Sequence, residues 1–341
     1  MPETNKKIDT LGVALLGSGR MAHVYGPKIN AHPGLRLEAI FNPNIASAER
    51  AAQLYGGHAT SELDQVLDDD AIDAVVIATP TNTHRDYIIA SAKAGKPIYC
   101  EKPLDQTLDR VDECLLALAQ HPVPFMLGFN RRFDPDNAAL QRAVQEGEIG
   151  ALNMLMSTSR EPSPPPIDYV RASGGYFLDA TIHDIDLTCW IVGERPTEVY
   201  ATGSCKFDPE IGAEGDVDLT MTILNMPSGA LVHINNSRSC AYGFDQRVEA
   251  FGERGLLQTV NHREDSLLRW NRDVTEARQP LKHFFLERYD ASFYHALDEF
   301  YAAVTSARAP SVTEHDGRAA LAIALACDKA RRTGQSVRPD Y

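Results

Sequence analysis

Residues 11–22 read Leu-Gly-Val-Ala-Leu-Leu-Gly-Ser-Gly-Arg-Met-Ala, and this stretch decides the fold of the first part of the chain. Six apolar or small residues run into Gly17-Ser18-Gly19, the pattern of a buried parallel strand followed by a tight turn. A helix is predicted to begin near Met21. A strand, a G-x-G-x-x-A loop and a helix in this order are typical of a dinucleotide-binding unit.

The residues of this loop have separate predicted roles. Gly17 allows the turn and Gly19 lets the backbone approach a pyrophosphate, while Arg20 and Met21 open a helix whose N-terminus favours an anion. About 20 residues further on, where a carboxylate usually binds the adenosine ribose, the chain carries Asn42. An amide does not repel a 2′-phosphate as a carboxylate does, which leaves NADP open, although the sequence favours NAD.

Short apolar runs alternate with helical segments up to about residue 131, which implies a doubly wound parallel sheet. The predicted segments follow one another as strand 35–41, helix 46–55, strand 72–78, helix 83–94, strand 98–100, helix 108–120 and strand 123–129.

After residue 131 the runs become longer and alternate between apolar and polar residues, which predicts a large, mainly antiparallel open sheet. We therefore expect an α/β protein, with a Rossmann domain over residues 1–131 and an α+β substrate-binding and oligomerisation domain over 132–341. The C-terminal helix of the second domain is able to pack back on the first. The predicted strands are 151–159, 197–206, 217–225, 229–237 and 246–252, and the closing helices are 290–306 and 316–333.

The composition excludes several classes of partner. The chain has 341 residues and a net charge of −14, without the concentrated basic face that nucleic acid requires. No apolar run reaches the ~20 residues needed to cross a bilayer, and we expect no secretion signal. The six cysteines form no Cys-x-x-Cys pair, which argues against zinc or a disulfide framework. We expect a cytoplasmic enzyme and, because an open sheet needs a cover, a homodimer or homotetramer.

Two further motifs follow strands at the carboxyl edge of the predicted parallel sheet, where ligands bind in such folds. Residues 79–84 (Thr-Pro-Thr-Asn-Thr-His) come after the third strand, and residues 101–103 (Glu-Lys-Pro) after the fourth. A lysine at this edge reaches both the nicotinamide region and a substrate hydroxyl, although a simple surface lysine is the alternative. The candidate cofactor contacts from these motifs are Thr79, Pro80, Asn82, His84, Glu101 and Lys102.

Residues 175–186 (Gly-Tyr-Phe-Leu-Asp-Ala-Thr-Ile-His-Asp-Ile-Asp) carry the candidate chemistry of the second part of the chain. Asp179 and His183 are four residues apart and share one face of a helix. A carboxylate one turn before an imidazole fixes its tautomer and raises its basicity, as in an oriented general base. Asp184 and Asp186 superficially suggest a metal site, but neighbouring helical residues point to different faces. We predict no metal and expect both carboxylates to bond the backbone or an arginine.

These motifs occur in the order G-x-G-x-x-A, Thr-Pro-x-x-x-His, Glu-Lys-Pro and Gly-Gly-x-Phe-x-Asp-x-x-x-His-Asp-x-Asp, and together they resemble the Gfo/Idh/MocA oxidoreductase family from residue 10 to 335. Stretches at 128–135, 159–169 and 284–289 are similar to the branch that oxidises inositols. The resemblance implies oxidation of a ring hydroxyl of a cyclitol by hydride transfer from its carbon to NAD(P), above all of myo-inositol, which becomes 2-keto-myo-inositol.

The resemblance also implies the catalytic residues. His183 takes the hydroxyl proton, Lys102 orients the hydroxyl and stabilises developing alkoxide character, and Asp179 orients His183 or touches the substrate. A polyol needs many hydrogen-bonding groups, and the expected contacts are Asn130, Arg160, Asp168 and Tyr289.

Three alternatives remain open at the level of the sequence. The substrate could be another inositol isomer or a pyranose, because the motifs specify the reaction type better than the ring. An NAD-retaining glycosidase would show no net release of NADH. A non-catalytic sugar sensor on the same fold is disfavoured because Lys102 and His183 are both present.

Overall fold

The computed structural model describes residues 10–341. The chain forms two compact units. The first comprises the chain up to Asn130 together with Ala291–Arg318, and the second comprises Arg131–Asp290 together with Ala319–Tyr341. Each unit is built around one six-stranded sheet. None of the helices within residues 10–341 is long and apolar enough to cross a membrane.

All strand pairs in the sheet of the first unit are parallel, which confirms the predicted Rossmann-type sheet. The spatial order is β3-β2-β1-β4-β5-β6, so the order reverses between β1 and β4, the point at which ligands bind in such sheets. In chain order the strands are β1 (Leu11–Leu16), β2 (Leu35–Phe41), β3 (His58–Thr60), β4 (Ala74–Ile77), β5 (Ile98–Cys100) and β6 (Phe125–Leu127).

Five helices connect these strands. Four of them match predicted segments, whereas α3 and the preceding edge strand β3 are too short and too polar to give a periodic signal. The helices are α1 (Ala22–Ala31), α2 (Ile45–Tyr55), α3 (Leu63–Leu67), α4 (His84–Lys93) and α5 (Leu108–Gln120).

Residues 291–318 complete the core of the first unit. The ring of Phe300 meets Tyr99 edge-on at a centroid distance of 5.8 Å, and Phe293 meets Tyr25 at 6.0 Å. The Leu127 amide at the end of β6 donates to the Val312 carbonyl over 3.1 Å. These contacts bury aromatic area that the N-terminal segment alone would leave in water.

The second unit contains the predicted mainly antiparallel sheet, in the spatial order β12-β11-β7-β10-β9-β8. One pair, β7 with β10, is parallel, because the chain between them crosses over the sheet instead of turning in a hairpin. The strands are β7 (Leu152–Arg160), β8 (Glu198–Ser204), β9 (Leu219–Asn225), β10 (Leu231–Ser237), β11 (Asp245–Gly252) and β12 (Leu256–Gln258).

Helices cover one face of this sheet, with α8 packed on β7 and β10. Between these strands the sequence analysis expects helical geometry only at Asp179 and His183, whereas the structure has α7, α8 and α9 there, and α6 precedes β7. The remaining helices are α6 (Pro135–Gln145), α7 (Ile167–Ser173), α8 (Ile182–Val192), α9 (Pro209–Ala213), α10 (Phe285–Arg288), α11 (Asp290–Thr305) and α12 (Glu314–Thr333).

The opposite face of the sheet, which we call the open face, is exposed and apolar in the isolated chain. Met154 pairs with Leu231 on one side and with Phe251 on the other, so their side chains form a continuous row across three strands. Ile223 and Tyr200 extend the apolar surface on β9 and β8. The large side chains of the open face are 38–55% exposed, and they are Met154, Met156, Tyr200, Met221, Ile223, Leu231, Phe251 and Leu256.

Candidate active site

The two glycines of the loop after β1 differ in what surrounds them. Gly17 has a φ of +110°, and a Cβ there would lie 2.6 Å from the Ala78 carbonyl oxygen, so only glycine fits. Gly19 is exposed, and a Cβ at Gly19 would meet no protein atom within 4 Å. The first glycine therefore serves the turn, and the second leaves room for a ligand to reach the backbone. Arg20, which is exposed, and Met21 follow directly.

Asn42 lies beside this loop, because β1 and β2 are parallel neighbours and their carboxyl ends meet. Its side-chain amide donates to the Ser18 hydroxyl over 2.8 Å, and its carbonyl oxygen accepts the Asn44 amide over 2.9 Å. The predicted ribose position is thus held by a neutral, hydrogen-bonded amide.

His84 joins the two loops that follow β4 and β5. Its Nδ1 lies 2.8 Å from the Pro103 carbonyl oxygen, and its Nε2 lies 3.0 Å from that of Thr79. Burial lowers the pKa of His84 and outweighs the two carbonyls, which favour the charged ring. The predicted cofactor contact is thus a buried clamp between loops, whereas Pro80 and Asn82 are exposed.

Glu101 is buried at the start of the Glu-Lys-Pro motif. Its carboxylate accepts hydrogen bonds from the Tyr25 hydroxyl and from the Lys102 amide. Burial raises the pKa of Glu101, while Tyr25 and the positive charges of Lys102 and Arg20 oppose the increase. The Lys102 side chain is half-buried, and the buried Glu101 carboxyl directly precedes this candidate catalytic lysine.

Asp179 lies in a π-helical turn, Phe177–Thr181, directly before α8. Its Oδ1 accepts the Tyr169 hydroxyl over 2.7 Å, and its Oδ2 accepts Arg238 over 3.2 Å. Turns of this type are rare and occur often at functional sites. Sequence reasoning missed both Tyr169 and Arg238. No spacing rule could find Arg238, because it is 59 residues from Asp179 along the chain.

His183 is the one half-buried residue within Thr181–Thr188, and every other residue of this stretch is buried. The imidazole therefore has access to solvent from a stretch of chain whose other residues are buried. The next residue explains why α8 is held so firmly. Asp184 accepts Arg131 over 2.9 Å, Ser157 over 2.7 Å and Asn236 over 2.9 Å.

The second carboxylate after His183 is also paired. Asp186 accepts two hydrogen bonds from the Arg132 guanidinium, with both side chains buried. The prediction that Asp184 and Asp186 bond an arginine is confirmed. Because these two carboxylates anchor α8, they fix the position of the helix that carries His183.

The four predicted polyol contacts occupy different environments. Asn130 is buried and donates to the Ser292 hydroxyl over 2.8 Å, and the buried Tyr289 hydroxyl donates to Gln246 over 3.1 Å. Asp168 is 91% exposed and pairs with Arg171.

Arg160, the fourth predicted contact, lies at the end of β7 and is about one-third exposed. It donates to the Tyr242 hydroxyl over 2.8 Å and to Asn235 over 3.0 Å. Its Nη1 also lies 3.4 Å from the buried Asp245 carboxylate, so a counter-charge and two neutral partners hold the guanidinium, which retains exposed surface.

Comparison with known proteins agrees with this geometry. The model of the GFO/IDH/MocA oxidoreductase family with an NAD-binding Rossmann fold matches residues 11–129, and the model of the GFO/IDH/MocA C-terminal domain matches residues 137–258. The chain belongs to the GFO/IDH/MocA oxidoreductase family. It is 40% identical over 315 residues to an inositol 2-dehydrogenase of Rhizobium meliloti, covering 92% of this chain and 95% of that protein.

Two further members of the family are similarly close. The myo-inositol 2-dehydrogenase of Thermotoga maritima is 38% identical, with 96% of this chain and 98% of that protein covered. The crystal structure of a myo-inositol dehydrogenase from Corynebacterium glutamicum matches with a TM-score of 0.93 and 41% identity, over 97% of this chain and 99% of that one. The GFO/IDH/MocA assignment therefore rests on both units and not on the glycine loop alone.

Because the two loop glycines have different surroundings, the same substitution should have a different effect at each of them. Gly19→Ala should fold normally but weaken NAD binding at least tenfold, because the new methyl group occupies the open space next to the backbone. Gly17→Ala should instead lower the free energy of unfolding by about 2 kcal/mol or more, because alanine disfavours this φ. Isothermal titration with NAD and urea unfolding measure the two quantities. Wild-type NAD affinity in Gly19→Ala would contradict the assignment of this loop to the cofactor.

The Asp184 network predicts a large loss of stability on a nearly isosteric change. Asp184→Asn should lower the free energy of unfolding of the second unit by about 3 kcal/mol, because it leaves the buried Arg131 without its counter-charge. Asp168→Asn, which removes an exposed pair, should cost less than about 0.5 kcal/mol. Urea unfolding of both variants provides the comparison, and equal losses would show that the buried network does not anchor α8.

Proposed function

We propose that the protein oxidises a ring hydroxyl of a cyclitol, specifically myo-inositol to 2-keto-myo-inositol, with NAD as the acceptor. The observation that carries the proposal is the half-buried His183 within the otherwise buried stretch Thr181–Thr188, one turn after a carboxylate held by Tyr169 and Arg238. The similarity to inositol dehydrogenases over both units supports the choice of a cyclitol.

In the proposed reaction the side chains of the protein remove one proton from a substrate hydroxyl and bind the oxygen of that hydroxyl. His183 accepts the proton of the ring hydroxyl as general base. The carbon that carries this hydroxyl loses a hydride, so the C–O bond becomes a carbonyl. Lys102 donates a hydrogen bond to the same oxygen and stabilises its developing negative charge. Asp179 holds the imidazole in the tautomer that accepts this proton.

NAD supplies the hydride acceptor when it is bound. The residues present fit such a group, because Gly19 leaves space for it and the start of α1 offers amides to an anion. Asn42 and Thr79 complete the proposed contacts at the carboxyl edge of the sheet. His84 acts indirectly in this proposal, because it fixes the loops that carry Thr79 and Lys102.

We assign Arg160 no direct contact with the polyol, because the alternation of side chains along β7 places it with Met154 and Met156 on the open face, whereas α8 and His183 lie on the opposite face of the sheet. Asn130 and Tyr289 support the structure through their buried hydrogen bonds. Asp168 is fully available to solvent, and we assign it no contact.

We also propose that the protein works in the cytoplasm. Burial raises the pKa of the Cys114 thiol to about 12 and raises that of Cys100 as well. Such thiols are packed as small apolar groups and stay protonated, which suits a reducing compartment.

The open face is the proposed surface for self-association. A row of exposed Met, Ile, Leu and Phe side chains spans the sheet, and monomeric proteins rarely expose a contiguous apolar surface of this kind. The occupant we propose is the open face of a second copy, which gives a homodimer or, by a further contact, a homotetramer.

Turnover tests the proposed reaction. The purified protein should reduce NAD with myo-inositol faster than with scyllo-inositol, D-chiro-inositol or glucose, measured by the absorbance of NADH, and NAD should be preferred over NADP. His183→Asn and Lys102→Met should each lose about 1,000-fold in kcat with NAD affinity within twofold of wild type. The exposed residues His315 and Lys93 provide the matched controls His315→Asn and Lys93→Met, which should keep full activity. Near-normal rates in both site variants would remove the assignment.

Molecular mass in solution tests the open face. Wild type should elute as a dimer or tetramer in size-exclusion chromatography with light scattering, and Ile223→Lys should reduce the mass, because it buries a charge at the interface. Val274→Lys is the control, since Val274 and Ile223 are both 43% exposed and Val274 lies outside the open face. A monomeric wild type, or equal effects of the two variants, would rule out this surface.

A further inference from the structure

Arg238 is a cation enclosed in the second unit directly after β10. Its side chain is 1% exposed, and it is the largest fully buried side chain of the described residues. The Arg238 amide donates to the Asp218 carbonyl over 2.8 Å, which fixes the backbone from which the side chain departs. Removing a guanidinium from water costs several kcal/mol, so interactions with its partners must offset the cost of burying Arg238.

Those partners are an aromatic ring and carboxylates. The guanidinium carbon lies 4.3 Å from the centroid of the Tyr176 ring, and stacking of this kind orients the planar group. Arg238 Nη2 donates to Asp179 over 3.2 Å, and Nη1 lies 3.6 Å from Glu161. Asp216, which accepts the Tyr176 amide, adds a further negative charge nearby.

The charge balance keeps the guanidinium protonated and the ring neutral. Burial lowers the pKa of Arg238, but the attraction of Asp179 and Glu161 outweighs it, and the pKa rises above its ordinary value. Burial, and then the charge of Glu161, raise the pKa of Tyr176. The cation is therefore permanent over the range in which an enzyme works, and its direct hydrogen bond goes to Asp179.

Asp179 is held at both oxygens by groups that favour its ionised form. Tyr169 donates to Oδ1 from α7, and Arg238 donates to Oδ2 from the end of β10. Donors to a carboxylate stabilise the charged form, and two donors from different elements fix the rotation of the carboxylate plane. A carboxylate fixed in this way acts on its neighbour by its charge and does not take up the substrate's proton.

We propose that Arg238 is a positioning residue for the reaction, which keeps Asp179 ionised and in one orientation so that the substrate's proton passes to His183. Tyr169 assists from the other oxygen. This inference rests on the proposed function, because it gives Asp179 and His183 the roles stated above. It adds that the buried guanidinium serves the chemistry of the site as well as the stability of the second unit.

Three variants test the inference. Arg238→Met removes the charge at similar volume, Arg238→Lys restores a cation, and Tyr169→Phe removes a single hydrogen bond from a partly exposed position. The controls are Arg288→Met, which breaks the buried Arg288–Asp134 pair, and Tyr341→Phe, which removes the hydrogen bond to Pro196.

The first readout is independent of turnover. In protein labelled with ¹³C at the aspartate carboxyl carbon, with the signal of Asp179 identified from Asp179→Asn, this carboxyl should titrate about one pH unit higher in Arg238→Met than in wild type. Tyr169→Phe should move it in the same direction by less, and Arg238→Lys should return it toward wild type. Neither control should move it.

The second readout is the pH dependence of kcat with myo-inositol. Arg238→Met should lower kcat about 100-fold and move the acid limb of the profile to higher pH, because Asp179 then gains a proton more easily. NAD affinity should stay within twofold. Arg288→Met should lower the melting temperature and leave the acid limb in place.

The outcomes separate the two proposals. If wild type reduces NAD with none of the polyols, the proposed function fails, and the carboxyl titration still decides whether Arg238 controls Asp179. An unchanged titration of Asp179 in Arg238→Met and Tyr169→Phe overturns the inference, as does a loss of kcat without a shift of the acid limb. If Arg238→Met does not fold, Tyr169→Phe decides whether the donors to Asp179 set its titration, because Tyr169 is only partly buried.

Discussion

The buried carboxylate of Asp184 is the point on which the second unit depends. It accepts hydrogen bonds from Arg131, from Ser157 on β7 and from Asn236 on β10, so one side chain ties α8 to the two parallel central strands. A buried charge of this kind contributes less to net stability than to the choice of one arrangement, because each alternative would leave an ion unpaired. His183 directly precedes Asp184 in the chain, and its position follows from this choice.

In the first unit, the geometry of the backbone brings the loops of the site together. Parallel pairing brings the loops after β1, β2, β4 and β5 to one edge of the sheet, and the loops are joined to each other there. Asn42 bonds Ser18 across the first pair, and His84 places its two ring nitrogens against the carbonyls of Thr79 and Pro103 across the other, where the neutral ring donates to one of them. The loops at the carboxyl edge are therefore linked by side chains, and the open space beside Gly19 is where a nucleotide can approach the backbone.

Buried charges recur throughout the second unit, and they are of two kinds. Arg132–Asp186 and Arg288–Asp134 are pairs in which the charges compensate one another. Arg238 instead faces more than one carboxylate and reaches Asp179 with a direct hydrogen bond. The first kind joins elements of the fold, whereas the second is directed at Asp179, the carboxylate to which we assign a role in the proposed reaction.

The sequence alone determined the features that depend on local pattern. Apolar runs predicted β1, β2, β4, β5 and β6, the glycine loop predicted the nucleotide site, and the order of motifs predicted the family, because each is a property of adjacent residues. Tertiary structure decided the rest, since pairings between distant segments have no local signature. It made β7 and β10 parallel, turned His84 into a clamp between loops, and brought Tyr169 and Arg238 to the two oxygens of Asp179. Those contacts exist only in the folded chain, because folding buries each side chain and places it against its partner.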